Sequence, residues 1–365
     1  MATRLGGGVL DDVGAVSRLD AGEMLAAVAA LPDQIRDAWQ LSRSLTVSDA
    51  HRAVRGVVVL GMGGSAIAAD LVRGAFSDRL TVPILTVRDY ELPAWVGRET
   101  LVVAASYSGS TEETISSLAT ALERRCPVAV ITTGGALHDV ARRASLPLLA
   151  FPGGGQPRAA VGYGLVLLAG LLERSGLMTV TEAEVEDAAM AAVATAADCG
   201  PETPTERNHA KQLAWSLVDR LPIVEAAGFL APVARRWKTQ LNENSKTMAV
   251  YEELPEATHN TVVGYAQPES LRDHLYVVFL ASPSDHPRNS LRASLSAELL
   301  GIEQIAHQVV PIRGNSRLAQ TVAAIALGDY VSTYLGMLYG LDPTPVEAIT
   351  VIKTRLLERD EDAED

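Results

Sequence analysis

Two stretches of this chain share one grammar, and its repetition narrows the folds open to it. Val57-Val58-Val59-Leu60 is a short run, apolar on both faces, that ends in Gly61-Met62-Gly63-Gly64-Ser65 before a helix-like stretch from Ala66 to Phe76. Leu101-Val102-Val103-Ala104-Ala105 leads in the same way into Ser106-Tyr107-Ser108-Gly109-Ser110-Thr111 and a helix-like stretch from Glu112 to Arg124. Ile84 to Val87, Val128 to Ile131 and Leu146 to Phe151 are three further strand candidates. Strands without polar alternation are buried on both faces. Strand, turn and helix repeated in this order predict an α/β fold with a parallel sheet covered by helices.

The remainder extends the pattern. Residues 9 to 50 read as helical, with Leu25, Val28, Leu31, Ile35, Trp39 and Leu41 on one face and a helix start near Leu19 to Met24. Residues 158 to 200 are rich in Ala and Leu and read as bridging helices. A second round follows, with strands at Leu221 to Ala226, Leu275 to Ala281 and Gln308 to Ile312, then helices over Ser316 to Tyr339 and Pro345 to Leu357. The acidic tail from Glu358 to Asp365 reads as frayed and solvated. The expected organisation is N-terminal helices over 1–50, a first α/β domain over 51–153, connecting helices over 154–200 and a second α/β domain over 201–365. The two domains read as weak repeats of one doubly wound, flavodoxin-like unit.

Composition excludes several function classes. A net charge of -13 argues against a nucleic-acid or anionic-membrane surface, which needs clustered Lys and Arg. An anionic ligand must therefore be held by local donors. The strongest apolar run, Gly164 to Leu172, is far shorter than the ~20 residues of a membrane span. The N-terminus has no signal-peptide core, so a cytoplasmic protein is expected. Cys126 and Cys199 have neither CxxC spacing nor a metal-ligand cluster around them and read as buried free thiols, with no metal or cofactor expected.

The two turns carry the first chemical signal. Glycines let the backbone approach an anion, and the N–H groups at a helix start point at it. Gly61 and Gly63 also invite a dinucleotide reading, but its third small residue falls at Ala66, and Asp89 is a loose fit to the ribose-binding acid. The second turn decides between them, because four of its six residues are Ser or Thr. Helix capping accounts for one hydroxyl per helix and leaves three over. A monoester phosphate, held by Gly63, Gly64, Ser65, Ser106, Ser108, Ser110 and Thr111 at the strand ends, fits all of them.

The second signal lies between Arg236 and Gly264. Glu243 stands in a polar Asn-Glu-Asn-Ser-Lys run, and His259 follows sixteen residues later in Pro-Glu-Ala-Thr-His-Asn. A carboxylate base and an imidazole are what proton transfer beside a sugar carbonyl requires. Arg158, always charged, could neutralise a developing oxyanion. Taken singly, Glu243 also reads as a surface carboxylate, His259 as a solvated loop residue, and Arg158 and Lys353 as ordinary ion-pair partners.

Taken together, the motifs resemble a known family. Gly-x-Gly-Gly-Ser at 61–65 and Ser-x-Ser-Gly-x-Thr at 106–111 are similar to the turns of the sugar isomerase (SIS) fold. Gln156-Pro157-Arg158, Asn242-Glu243-Asn244-Ser245-Lys246, Thr258-His259-Asn260 and Asp342-Pro343-Thr344-Pro345-Val346 with Lys353 resemble one branch of it, the bifunctional phosphoglucose/phosphomannose isomerases. The resemblance implies two SIS subdomains and metal-free interconversion of glucose 6-phosphate or mannose 6-phosphate with fructose 6-phosphate. It implies phosphate binding by the two turns, an enediolate stabilised by Arg158, proton transfer by Glu243, ring opening by His259 and Lys353 near the ring oxygen. It also implies a homodimer with the site at its interface and His259 coming from the partner. Ser110 departs from the Asn more usual there, but its backbone amide is retained. Thr344 is a candidate for the specificity that admits mannose. Two alternatives remain at this stage, a non-catalytic phosphosugar sensor and an isomerase of another phosphosugar.

Overall fold

The structure, a computed structural model, describes residues 8–364. The first seven residues, on which part of the signal-peptide expectation rests, and Asp365 lie outside them. Among the described residues, nine strands form two sheets, all parallel. The first contains β1 (Gly56–Leu60), β2 (Ile84–Val87), β3 (Thr100–Ser106), β4 (Val128–Thr132) and β5 (Leu148–Ala150) in the order β2-β1-β3-β4-β5. The second contains β6 (Leu221–Ala227), β7 (Val250–Leu254), β8 (Leu275–Ala281) and β9 (Ala306–Pro311) in the order β7-β6-β8-β9. Counted from its own first strand, each sheet begins 2-1-3-4. The fold is therefore two doubly wound units of flavodoxin-like order, as the alternation of strands and helices implies.

Every residue of β1, β3 and β4 is buried, because helices cover both faces of the first sheet. The helices Leu31–Arg43 and Val161–Arg174 pack together over one face. Their Leu31, Ile35, Trp39, Leu165 and Leu168 join a core that continues through the helix Arg317–Leu338 to Val224 and Val278 of the second sheet. The two units thus share one apolar interior. Arg317–Leu338 is long and apolar enough to cross a membrane by length and composition, and 94% of its most apolar window is buried. It is a core helix, packed against the helices Glu182–Cys199, His209–Leu217 and Ala231–Asn244. Cys126 and Cys199 are both free and buried, as expected.

Two local expectations need correction. Val250–Leu254 forms a strand where none was expected, because Glu252 and Glu253 mask its pattern and it occupies a sheet edge. The last helix runs from Glu347 to Glu364, beyond the expected stop at Leu357, since no Gly or Pro interrupts the acidic tail.

Candidate active site

In a doubly wound sheet the chain leaves neighbouring strands in opposite directions at one point, and ligands bind in the crevice this opens. In the first sheet that point lies between β1 and β3. The turns that follow these two strands are the ones rich in Gly and Ser. Gly63 and Gly64 are the first residues of the helix Gly63–Ala75, so their N–H groups have no partner within that helix. Gly63 has a φ of 48°, in the left-handed region. A Cβ on Gly64 would stand 3.0 Å from the Pro157 carbonyl oxygen and 3.4 Å from Arg158 Cα. The missing side chain is what lets the phosphate-type turn lie directly on the Gln156–Arg158 element.

The second turn is organised by its own hydroxyls. Ser106 Oγ lies 2.7 Å from Thr111 Oγ1 and accepts from Gly109 N at 3.1 Å, while Ser108 Oγ accepts from Ser110 N at 3.2 Å. Ser65 Oγ accepts from Tyr107 N at 3.2 Å, which ties the two turns together. Thr111 occupies the N-cap position without a side-chain capping bond, so capping does not consume its hydroxyl. Gly109 has a φ of 68°, and a Cβ there would collide with the Gly134 carbonyl at 1.8 Å. All seven predicted phosphate-binding residues therefore meet at one switch point.

The second sheet has the same topology without the same chemistry. Its equivalent turns carry Phe229 and Leu230 after β6, and Ser282, Ser284 and Asp285 after β8. Burial raises the Asp285 pKa, although bonding from Ser282 N and the Arg317 charge oppose the shift. A carboxylate at that place disfavours an anion, and neither turn repeats the hydroxyl cluster of residues 106–111.

Arg158 is 3% exposed and its guanidinium is held on nearly every side. Nε donates to Asn244 Oδ1 at 2.7 Å, Nη1 to Gln156 Oε1 at 3.1 Å, and Nη2 to the carbonyls of Pro343 at 2.9 Å and Thr344 at 2.7 Å. Nη1 also faces Glu243 Oε2 at 3.8 Å, with the Glu243 side chain 26% exposed. Burial lowers the Arg158 pKa from its ordinary value, while the Glu243 and Asp329 carboxylates oppose that shift. The guanidinium stays charged, and its remaining Nη1 direction faces the partly open Glu243 carboxylate.

Glu243 is positioned by the helix Ala231–Asn244, which ends one residue after it. Beneath it the same helix carries a buried polar network the sequence did not reveal. Arg236 Nη2 donates to Asp329 Oδ2 at 2.7 Å and to the Arg158 carbonyl at 2.9 Å, and Gln240 Nε2 donates to Asp329 Oδ1 at 2.8 Å. Asp329 lies in the long apolar helix, where only its partners on another element could mark it as special. Lys246, quoted in the sequence motif without a role, donates from Nζ to the carbonyls of Asp342 and Pro343, each at 2.9 Å.

Three predicted residues stand differently. His259 ends a short 3-10 helix (Glu256–His259) beyond β7, at the edge of the second sheet, and is exposed. Its neighbour Thr258 accepts from Arg292 Nη1 at 2.6 Å. Lys353 is exposed on the terminal helix. Among the described residues, neither makes an ion pair or hydrogen bond with Arg158 or Glu243. Thr344 gives its carbonyl to Arg158, but its side chain lies against Gly22, where an added Cβ would come within 2.3 Å of it.

Comparison with known proteins gives the family. Residues 206–356 match the family model of the bacterial phospho-glucose isomerase C-terminal SIS domain. The chain is 38% identical over 337 residues to a bifunctional phosphoglucose/phosphomannose isomerase of Caldicellulosiruptor bescii, covering 92% of this chain and 99% of that one. It is 34% identical over 303 residues to the protein of the same description from Aquifex aeolicus, covering 83% and 90% of the two chains. A crystal structure of a hypothetical protein from Thermus thermophilus superposes with a TM-score of 0.74 at 20% identity, covering 97% of this chain and 95% of that one. The chain therefore belongs to the bifunctional phosphoglucose/phosphomannose isomerases, a family of sugar-phosphate isomerases.

Proposed function

We propose that the protein interconverts glucose 6-phosphate and mannose 6-phosphate with fructose 6-phosphate by proton transfer through a cis-enediolate. The observation that carries this reading is the contact of the Gly64 turn with Arg158, whose guanidinium faces Glu243 at 3.8 Å. A phosphate anchor, an oxyanion partner and a carboxylate base meet in one place.

The phosphate of the open-chain sugar rests on the backbone amides of Gly63, Gly64 and Ser110 and the hydroxyls of Ser65, Ser106, Ser108 and Thr111. Glu243 removes the proton from C2 of the aldose, and the carbonyl oxygen at C1 takes up the negative charge. Arg158 stabilises that charge, and because its other donors are already bonded it is preorganised for the task. A proton then passes from the C2 hydroxyl to the C1 oxygen, and the carboxylic acid, its proton exchanging with solvent in part of the turnovers, protonates C1, giving the ketose without net oxidation. Protonation of C2 from either face of the enediolate separates glucose from mannose. Thr344 governs that choice in this reading, and an unchanged mannose-to-glucose ratio in Thr344→Gln would remove it.

His259 opens the sugar ring, and Lys353 lies near the ring oxygen. That neither bonds Glu243 within one chain is accounted for by a homodimer in which a second copy completes the site. Two surfaces support that occupant. Every residue from Glu347 to Leu356 is exposed, including Ile349, Val351, Ile352 and Leu356. A helix of this length is marginal alone in water, so its apolar side calls for a partner. The helix Pro287–Ile302, which braces the His259 segment through Arg292, exposes Leu291, Leu295, Leu299 and Ile302 along one side. Glu298 beside that stripe and Lys353 beside the other are of opposite charge. The direct test is conversion of fructose 6-phosphate to both aldose phosphates in the presence of EDTA. Failure to convert either would refute the reading.

A further inference from the structure

We infer that Lys246 is a positioning residue for the isomerisation: its ammonium clamps the Asp342–Thr344 loop onto the end of the Glu243 helix and so fixes Arg158 opposite the base. The inference rests on the reading of Arg158 and Glu243 as the reacting pair. It adds a function for a residue that touches neither sugar nor phosphate in that reading.

The geometry is specific. Lys246 follows the C-cap of the helix Ala231–Asn244 and has a φ of 55°, in the left-handed region. This conformation is uncommon outside Gly, Asn and Asp, and here it turns the lysine stem back across the end of its own helix. Nζ then donates to Asn244 O at 3.3 Å, Asp342 O at 2.9 Å and Pro343 O at 2.9 Å. An ammonium has three donors, and all three are used. One of these carbonyls, Pro343 O, is shared with Arg158 Nη2, which also bonds the next carbonyl, Thr344 O. The two cations hold one loop from two sides. With the ammonium in place, the loop carbonyls and Asn244 hold the guanidinium plane. Without it, one anchor of the loop is lost and Arg158 can tilt away from Glu243.

The clamp titrates in a useful range. Burial, and then the neighbouring Arg158 charge, push the Lys246 pKa down to about 8, while Asp342, Glu243 and Glu347 oppose the shift. The protonated form makes the three bonds. It dominates below about pH 8 and is lost as pH rises through that value, so positioning should weaken on the alkaline side.

The test measures kcat and KM for fructose 6-phosphate from about pH 6 to about 10, the span that includes the ordinary lysine range. Wild type, Lys246→Met, Lys246→Arg and Glu243→Gln are compared, with circular dichroism to check folding. Lys246→Met should lower kcat about 10- to 100-fold, the scale of a small misplacement at a reacting centre, with KM nearly unchanged because the phosphate turns are untouched. Lys246→Arg should keep most of the activity and extend it to higher pH, since a guanidinium does not titrate there. A wild-type kcat and pH profile in Lys246→Met would overturn the inference. If that variant does not fold, an unmoved alkaline limb in Lys246→Arg would overturn it equally. Should wild type itself fail to isomerise, the underlying reading falls and the Lys246 role with it. Loss of activity in Glu243→Gln alone would instead leave the reading standing and remove Lys246.

Discussion

Arg158 Nη1 stands 3.8 Å from Glu243 Oε2, and the two residues arrive there from opposite halves of the chain. Arg158 comes from the segment after the first sheet and Glu243 from the helix that follows the first strand of the second. The pair is thus a product of the two-unit architecture, and neither unit alone contains it. Glu243 remains partly open while Arg158 is closed in.

Arg158→Lys retains the charge but can satisfy neither the planar set of four bonds nor the line toward Glu243. Its kcat is expected to fall about 100- to 1000-fold, the cost of removing one preorganised oxyanion donor. Steady-state kinetics of this variant beside wild type checks the expectation. A change confined to KM would assign Arg158 to binding alone.

The phosphate turns predict a different signature. Ser106 Oγ bonds both Thr111 Oγ1 and Gly109 N, so Ser106→Ala loosens the turn as well as removing a donor. Loss of a hydrogen bond to a charged group, worth about 1.5–3 kcal/mol, should raise KM for fructose 6-phosphate by roughly 10- to 100-fold. Thermal shift with inorganic phosphate offers an independent readout, since ligand binding to the folded state raises Tm. Equal phosphate-induced shifts in wild type and variant would contradict the assignment.

Dimeric sharing of the site predicts complementation. His259→Ala and Glu243→Gln should each be inactive as pure proteins. If His259 serves the partner's site, a mixed dimer contains one site with both defects and one with none. Co-refolding equal amounts should then restore about a quarter of wild-type activity, because half the dimers are mixed and each has one intact site. No recovery, with mixed dimers verified by sedimentation or native mass spectrometry, would place His259 in its own subunit's site.

The sequence made the first unit and its site easiest to read. Val57 to Leu60 and Leu101 to Ala105 are buried on both faces, so they appear as unbroken apolar runs, and the hydroxyls at their ends are concentrated in six residues. Taken singly, Glu243 and Arg158 read as readily as a surface carboxylate and an ion-pair partner, and only the resemblance of their motifs to a known family singles them out. What stayed hidden was long-range. Asp329 sits in a helix whose apolar pattern gives no hint that Arg236 and Gln240 will reach it across 93 and 89 residues of chain. The roles of Asn244 and Lys246 depend on where the Pro343 carbonyl lies, which no local pattern records. Val250–Leu254 carries no clear strand signal, because an edge strand tolerates the glutamates that a central strand would not.

Solvent deuterium exchange tests the central account most directly. Fructose 6-phosphate is incubated with the protein in D2O containing EDTA, and deuterium at C1 and C2 of the recovered hexose phosphates is followed by NMR. Wild type is expected to form glucose 6-phosphate and mannose 6-phosphate labelled at C2 and to label C1 of the ketose, while Glu243→Gln slows both by at least about 100-fold. Undiminished isomerisation and labelling by Glu243→Gln would contradict an enediolate formed by Glu243.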